Sequence, residues 1–409
     1  MISPRFLVSR LPYVFLPILV ICLAVPYALF GDDHADIGLY HQYAQAFFHS
    51  PHSLPVEYPP LALFPFSFTL LPLPLDYGAI FVALAALTFL LSCFIVIRTA
   101  SRSTAIAYIT LLLLAGPFAL FGRYDLYPAL LTLLAVLAAS RHHWTWAYVL
   151  LALATGLKLF PAVLFPLFFI AQWSHSSFAS ASWATRLRAA LSPALFFVIL
   201  LAILSLAILL QPSTWSSSLA YALHRPVSVE SSPASVLWLL SAFSSPLHLD
   251  YTYGSVNLDS TWSSPVIAAF SFAFLVLFAL ICYLLFSRRL SLRQACLAAL
   301  ACLLLTNHFL SVQYLLWLLP LLALEVGLTP AWVAILLCTL LIYPAFYSLA
   351  NLLGSPSPPP VLPAFLALST TRNCLLAYAT FRLFFPRLLA PSPSLQKIPY
   401  PAAIPQSMP

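Results

Sequence analysis

Charged residues are so scarce in this chain that where they stand decides what it can fold into. Lys, Arg, Asp and Glu make up 7% of 409 residues against 62% hydrophobic ones, and the mean hydropathy is +0.99. No water-facing surface of ordinary size can be built from that mixture, so hydrocarbon must cover most of it. The fold class expected is an all-α integral membrane protein.

Apolar runs near the roughly 20 residues needed to cross hydrocarbon fall at 11–30, 77–97, 105–121, 191–210, 265–286, 330–350 and 361–381. Shorter runs lie at 126–139, 144–157, 159–172, 295–306 and 312–324, and short spans imply tilt, thinning or broken helices around a cavity. The run from Tyr58 to Leu75 is apolar but carries Pro59, Pro60, Pro65, Pro72 and Pro74. Basic residues are retained on the cytoplasmic side of such proteins. If 59–75 does not cross, 13 of the 17 Lys and Arg residues share one side with both termini, and every acid but Glu325 lies on the other. The segment is therefore read as a Pro-broken juxtamembrane or re-entrant piece, leaving about 12 spans.

One polytopic domain is expected over 1–390, with outer loops at 31–76 and 212–264 and a disordered cytoplasmic tail at 391–409, rich in Pro, Ser and Ala. The net charge of +7 is mostly a topology signal and a match to anionic lipid; with no basic stripe interleaved with aromatics, no nucleic-acid partner is expected. The seven Cys sit in apolar runs without a CxxC pair, so neither a disulfide framework nor a metal site is expected. The first run lacks a small-residue cleavage site and reads as an uncleaved span.

Arg123, Lys158, Arg225 and Arg372 break the inside rule and join the acids at the outer face. Ionisable groups kept near lipid depth usually line a wet cavity. Asp36 precedes Tyr40 by four residues, one helical turn, and a carboxylate there can accept a proton from a substrate hydroxyl; Asp32 and Asp33 read as helix caps or solvated acids. Arg123 and Asp125 in GRYDLYPALL are either a local ion pair or an Arg turned to phosphate beside an orienting acid. Lys158 in GLKLFP needs snorkelling or an anionic ligand. Arg225 and Glu230 in HRPVSVESSPAS, with His308, Gln313 and Tyr314 in NHFLSVQYLLWLLP, complete the set, although a lone His at a helix break is commonly structural.

The order of Asp36 with Tyr40, EYPPLALFPF, GRYDLYPALL, GLKLFP, HRPVSVESSPAS, YGSVNL and VQYLLWLLP resembles the bacterial membrane glycosyltransferases that use polyprenyl-phosphate-linked sugar. The best known of these are the actinobacterial alpha-mannosyltransferases acting on phosphatidylinositol mannosides. The resemblance runs from about Asp36 to Pro320 and implies a GT-C architecture with juxtamembrane helices and a catalytic acid in the first outer loop. Asp36 takes the base position, Asp33 is a competing assignment, and Glu57, Tyr58, Pro59 and Pro60 match the Tyr-Pro-Pro signature. Val312 replaces the Pro of a Ser-Pro-Gln-Tyr motif.

The resemblance further implies a multi-pass cell-membrane enzyme that moves a hexose, mannose by that likeness, from a polyprenyl-phosphate donor to a lipid-linked or glycan acceptor at the outer face. Arg123, Lys158, Arg225, His308 and Arg372 would meet the donor phosphate. Tyr40, Glu57, Tyr58, Asp125, Glu230, Gln313 and Tyr314 would hold substrate, and no cofactor is implied. The alternative is a transporter or flippase of lipid-linked saccharides, which should show midplane charges and repeat symmetry that this sequence lacks. A polymerase or ligase using a diphosphate donor is a third reading. The nine Gly form no phosphate cradle, which argues against a nucleotide-sugar donor in a Rossmann-type domain.

Overall fold

The computed structural model describes residues 4–30, 35–49, 57–70, 75–174, 183–206, 213–243, 246–352 and 362–385. In chain order the helices are α1 (Pro4–Phe30), α2 (Ala35–His49), α3 (Leu63–Phe68), α4 (Tyr77–Thr99), α5 (Arg102–Phe121), α6 (Leu126–Ser140), α7 (Trp144–Leu157), α8 (Phe165–Trp173) and α9 (Trp183–Leu206). They continue with α10 (Ser213–His224), α11 (Ser232–Ser241), α12 (Ser263–Phe286), α13 (Leu292–Thr306), α14 (Leu319–Glu325), α15 (Pro330–Leu340), α16 (Tyr347–Leu352) and α17 (Leu362–Leu383). Starts follow local chemistry: Asp76 caps α4 by accepting from the Ala79 amide at 2.7 Å, and Ser291 with Gln294 closes a capping box on α13.

Among the described residues four segments are long and apolar enough to cross a membrane: Tyr77–Thr99, Arg102–Phe121, Ser263–Phe286 and Pro330–Leu349. Shorter apolar stretches among the described residues include Phe15–Ala28, Leu126–Ser140, Trp144–Leu157 and Leu292–Thr306. Helix α12 leaves Phe272, Leu275, Val276, Leu280 and Phe286 exposed, a face suited to hydrocarbon and not to water.

The Pro-rich segment is broken as its composition requires. Pro60–Ala62 forms a single 3₁₀ turn and α3 has 6 residues, about 9 Å of helix against a hydrocarbon core of about 30 Å. Phe66 of α3 stacks on Tyr40 of α2 with centroids 4.4 Å apart, so the two short helices pack as one aromatic layer.

The all-α expectation needs one correction. The loop expected at 212–264 carries a three-stranded antiparallel sheet, β1 (Val227–Ser228), β2 (His248–Thr252) and β3 (Ser255–Asp259), in the order β1-β3-β2. Its hairpin turns at Tyr253 and Gly254, both with positive φ (55° and 64°), the geometry whose twist matches two paired strands. Helix α11, capped by Ser231, was likewise not anticipated in that loop.

Two apolar cores result. The large one joins α1 to α9 with α12 to α15 and α17. The small one gathers Val227, Val229, Leu237, Val256, Leu258 and Val266 with Ile342 and Phe365, so this loop is folded onto the helices by its own buried side chains. Asp33 and the tail expected at 391–409 lie outside the described residues.

Candidate functional site

A cavity of about 440 Å³ opens between α2, the Tyr-Pro-Pro segment, the break after α7, α10, the hairpin tip and the turn after α13. Asp36, Glu57, Tyr58, Arg123, Lys158, Arg225, His308, Gln313 and Tyr314 all line it. Nine residues singled out from six stretches of sequence thus share one cavity.

Lys158 stands where α7 is forced to stop. Pro161 has no amide proton and its ring would collide with the carbonyl four residues earlier, that of Leu157; α7 ends at Leu157 and Lys158 turns extended. The freed Leu157 carbonyl accepts the Tyr124 hydroxyl at 3.0 Å. Gly156 lets this end approach the Tyr-Pro-Pro segment, since a Cβ there would meet Leu61 at 2.9 Å. The Lys158 ammonium lies 2.6 Å from Asp125 Oδ1, which also accepts from Trp317 Nε1 at 2.7 Å. Three ring faces surround it: Tyr124, Tyr314 and Trp317, at 5.0, 4.8 and 5.4 Å.

The local Arg123–Asp125 pair is not what forms. Arg123 instead reaches Asp36, Nη1 to Oδ2 at 2.7 Å, while Asp125 is buried beneath Lys158 and does not line the cavity. One turn along α2 from Asp36, Tyr40 is buried among Tyr58, Phe66 and Tyr124 and holds the helix without reaching the cavity.

Arg225 and His308 arrive from opposite sides of the sheet stitching. The Ser228 amide donates to the His308 carbonyl at 2.9 Å, and the Ser228 hydroxyl to that of Leu310 at 3.3 Å, tying β1 to the turn after α13. The Arg225 guanidinium lies over Phe309 at 5.0 Å, and its Nε is buried without a hydrogen-bond partner. His308 Nε2 is also buried and unpartnered. Burial first, and then the charge of Arg225, push the His308 pKa below its usual 6.5, opposed by bonds to the Ala222 and Arg225 carbonyls. Burial, with the charge of Asp36, pushes Glu57 up.

Arg372 and Glu230 are not brought to the cavity. Arg372, on α17, is buried with Nη1 3.6 Å from Glu230 Oε2, and its Nη2 donates to the Glu230 carbonyl. Asn373 donates to that carbonyl at 3.2 Å and Tyr347 to Glu230 Oε1 at 3.3 Å. The group fastens the start of α11 to α17. The Arg372 charge is thus met within the fold by a carboxylate, and a buried cation needs such a partner. Trp317, Tyr221 and Tyr253 line the cavity and were not picked from the sequence; for Trp317 the available signal was an indole N–H in an apolar run, which needs an acceptor when buried.

The family model for glycosyltransferase family 87 matches residues 57–310, well over half the chain. The protein belongs to that family. The match opens on Glu57 and takes in Arg123, Lys158, Arg225 and His308, leaving Asp36, Gln313, Tyr314 and Arg372 outside. Membership decides between the transferase and the carrier read as alternatives from the sequence: this is a membrane glycosyltransferase. A search among curated proteins found none that matches it.

Proposed function

We propose that the cavity transfers a hexose, mannose by sequence likeness, from a polyprenyl-phosphate donor to a hydroxyl of a lipid-linked or glycan acceptor at the outer face of the cell membrane. The observation that carries this is one cavity holding a carboxylate, Asp36, together with a buried donor that has no hydrogen-bond partner, Arg225 Nε, and an unpartnered ring nitrogen, His308 Nε2. An unpaired buried donor is costly, and a phosphate oxygen is the acceptor that Arg225 Nε lacks; His308 Nε2 donates once it is protonated. Asp36 removes the acceptor's proton as its oxygen attacks the anomeric carbon, and Arg225 with His308 stabilises the departing phosphate. Arg123 fixes the orientation of Asp36 through their ion pair, and the Lys158 ammonium adds positive potential. A single displacement inverts the anomeric centre, so a β-linked donor yields an α glycoside. Arg372 and Glu230 serve here by holding α11 and the strand that precedes it. Both termini are cytoplasmic and the GT-C-like domain is polytopic in this reading.

The test is Asp36→Asn, which keeps the shape and removes the proton acceptor. Transfer from a polyprenyl-phosphate hexose falls by about 100-fold or more while donor binding persists. Asp33→Asn is the control: near-normal turnover for Asp36→Asn with loss at Asp33 moves the base, and normal turnover in both refutes a base in this loop.

A further inference from the structure

Glu57 lines the cavity and forms no ion pair among the described residues. Phenols hold it: the Tyr43 hydroxyl donates to Oε1 at 3.5 Å, the long end of such a bond, and the Tyr221 hydroxyl also bonds it. The Tyr221 hydroxyl donates as well to the Tyr253 carbonyl, at 3.1 Å. One phenolic proton cannot serve both at once, and a carboxylate has about four lone-pair sites, so Glu57 keeps acceptor capacity open toward the cavity.

The hairpin tip supplies the complementary feature. Tyr253 lines the cavity, is exposed, and packs on Tyr221 with ring centroids 4.8 Å apart. It occupies the first central position of the turn at φ 55°, where Asn or Asp fits more easily and an aromatic residue is seldom found. At Gly254 beside it, an added Cβ would meet nothing within 4 Å. An open ring face thus stands near a carboxylate with free lone pairs. That pairing suits one chemistry: a sugar ring has an apolar C–H face for the aromatic and adjacent hydroxyls for the carboxylate. A simple alcohol engages neither.

We propose that Glu57, Tyr43, Tyr221 and Tyr253 form the subsite for a glycosyl residue of the acceptor, and that this subsite, not the cationic wall, sets acceptor choice. The proposal rests on reading the cavity as the site of transfer from a lipid-phosphate sugar.

The experiment uses the full chain in nanodiscs, a panel of polyprenyl-phosphate hexoses as donors, and octyl glycosides beside 1-O-octylglycerol as acceptors. Donor binding is titrated separately; a wild type that binds none of the donors defeats the underlying reading. Given binding, transfer to at least one octyl glycoside is expected, with KM for that glycoside raised about tenfold in Glu57→Gln and in Tyr253→Asn and donor KM within about twofold of wild type. Tyr253→Asn removes the ring but suits the turn, so the hairpin survives. Donor binding without transfer to any glycoside, a preference for octylglycerol, an acceptor KM indifferent to both variants, or a rise in donor KM in its place overturns the subsite.

Discussion

Replacing Lys158 with Met tests whether the ammonium is there for its charge or only to fill the break after α7. Asp125 has a side chain 1% exposed and Lys158 one 13% exposed, 2.6 Å apart. With Lys158 gone, the carboxylate keeps the Trp317 N–H on Oδ1, while Oδ2 is buried without a hydrogen-bond partner. Removing one partner of a buried pair costs about 3–5 kcal/mol. The converse change, Asp125→Asn, leaves an ammonium that reaches the cavity and three ring faces, so about 1–2 kcal/mol is expected. The double variant has no charge to strand and is more stable than Lys158→Met alone, with a coupling of about 2–3 kcal/mol. Thermal unfolding of the four proteins in one detergent gives the order, and transfer kinetics separate the roles: Asp125→Asn keeps measurable activity, whereas the double variant, though refastened, does not. A Lys158→Met protein as stable as Asp125→Asn, or a double variant worse than either single, refutes the buried-pair argument.

Glu57 predicts a pH dependence of stability. Its pKa is raised on folding, chiefly by burial, so the folded protein holds that proton more tightly than the unfolded chain and stability falls as pH rises from the usual carboxylate value through the folded one. Glu57→Gln has no charge to bury: it raises Tm at about pH 8 and gains little at about pH 4, and an equal shift at both pH values counts against the assignment. For topology, helix α12 has 24 residues, about 36 Å, enough to separate Thr261 from Ser287. On a Cys-free background, Thr261→Cys should react with an impermeant thiol reagent applied outside while Ser287→Cys and Ser101→Cys are shielded; labelling at Ser101 would mean that 59–75 crosses.

What could be read from the sequence follows from range. Apolar runs and Pro breaks are local, so α4, α5, α12 and the stop at Lys158 were legible, and so was the shortness of the helices at 60–68. Pairing across the fold was not. Lys158 and Asp125 are 33 residues apart and Trp317 is 192 from Asp125, distances at which spacing says nothing. Arg123 was weighed against the acid two residues away, but the start of α6 turns Asp125 inward and leaves Arg123 facing α2. Arg372 shows the same limit: a basic residue within an apolar run signals that something compensates it, not whether that partner is Glu230 or a ligand. The sheet was missed because Tyr253–Gly254 lacks the usual Asn-Gly or Asp-Gly turn signal.

The cations of the cavity also sort by what already neutralises them, and this bears on the donor. Arg123 is balanced by Asp36 and Lys158 by Asp125. Burial shifts His308 down, away from its charged form, and among the described residues Arg225 is the cation of the cavity that forms no ion pair. A sugar linked to a lipid through one phosphate is a diester with a single negative charge and matches it; a diphosphate would bring a further charge beside two carboxylates. Once the sugar leaves, the lipid phosphate becomes a monoester whose second ionisation lies near pH 6, and new negative charge builds as the bond breaks. His308, shifted away from its charged form and with Nε2 unpartnered, takes a proton from solvent at Nε2 as that charge builds and attracts the phosphate only then, and an interaction stronger in the transition state than in the ground state acts on kcat. Arg225 meets the charge already on the ground-state diester and acts on donor binding. Arg225→Gln should therefore raise donor KM about tenfold or more with a smaller change in kcat, and His308→Gln should lower kcat about tenfold or more with donor KM nearly unchanged. Steady-state kinetics at saturating acceptor separate the two, and the opposite assignment, or tighter use of a diphosphate-linked sugar than of a monophosphate one, would overturn this division of charge.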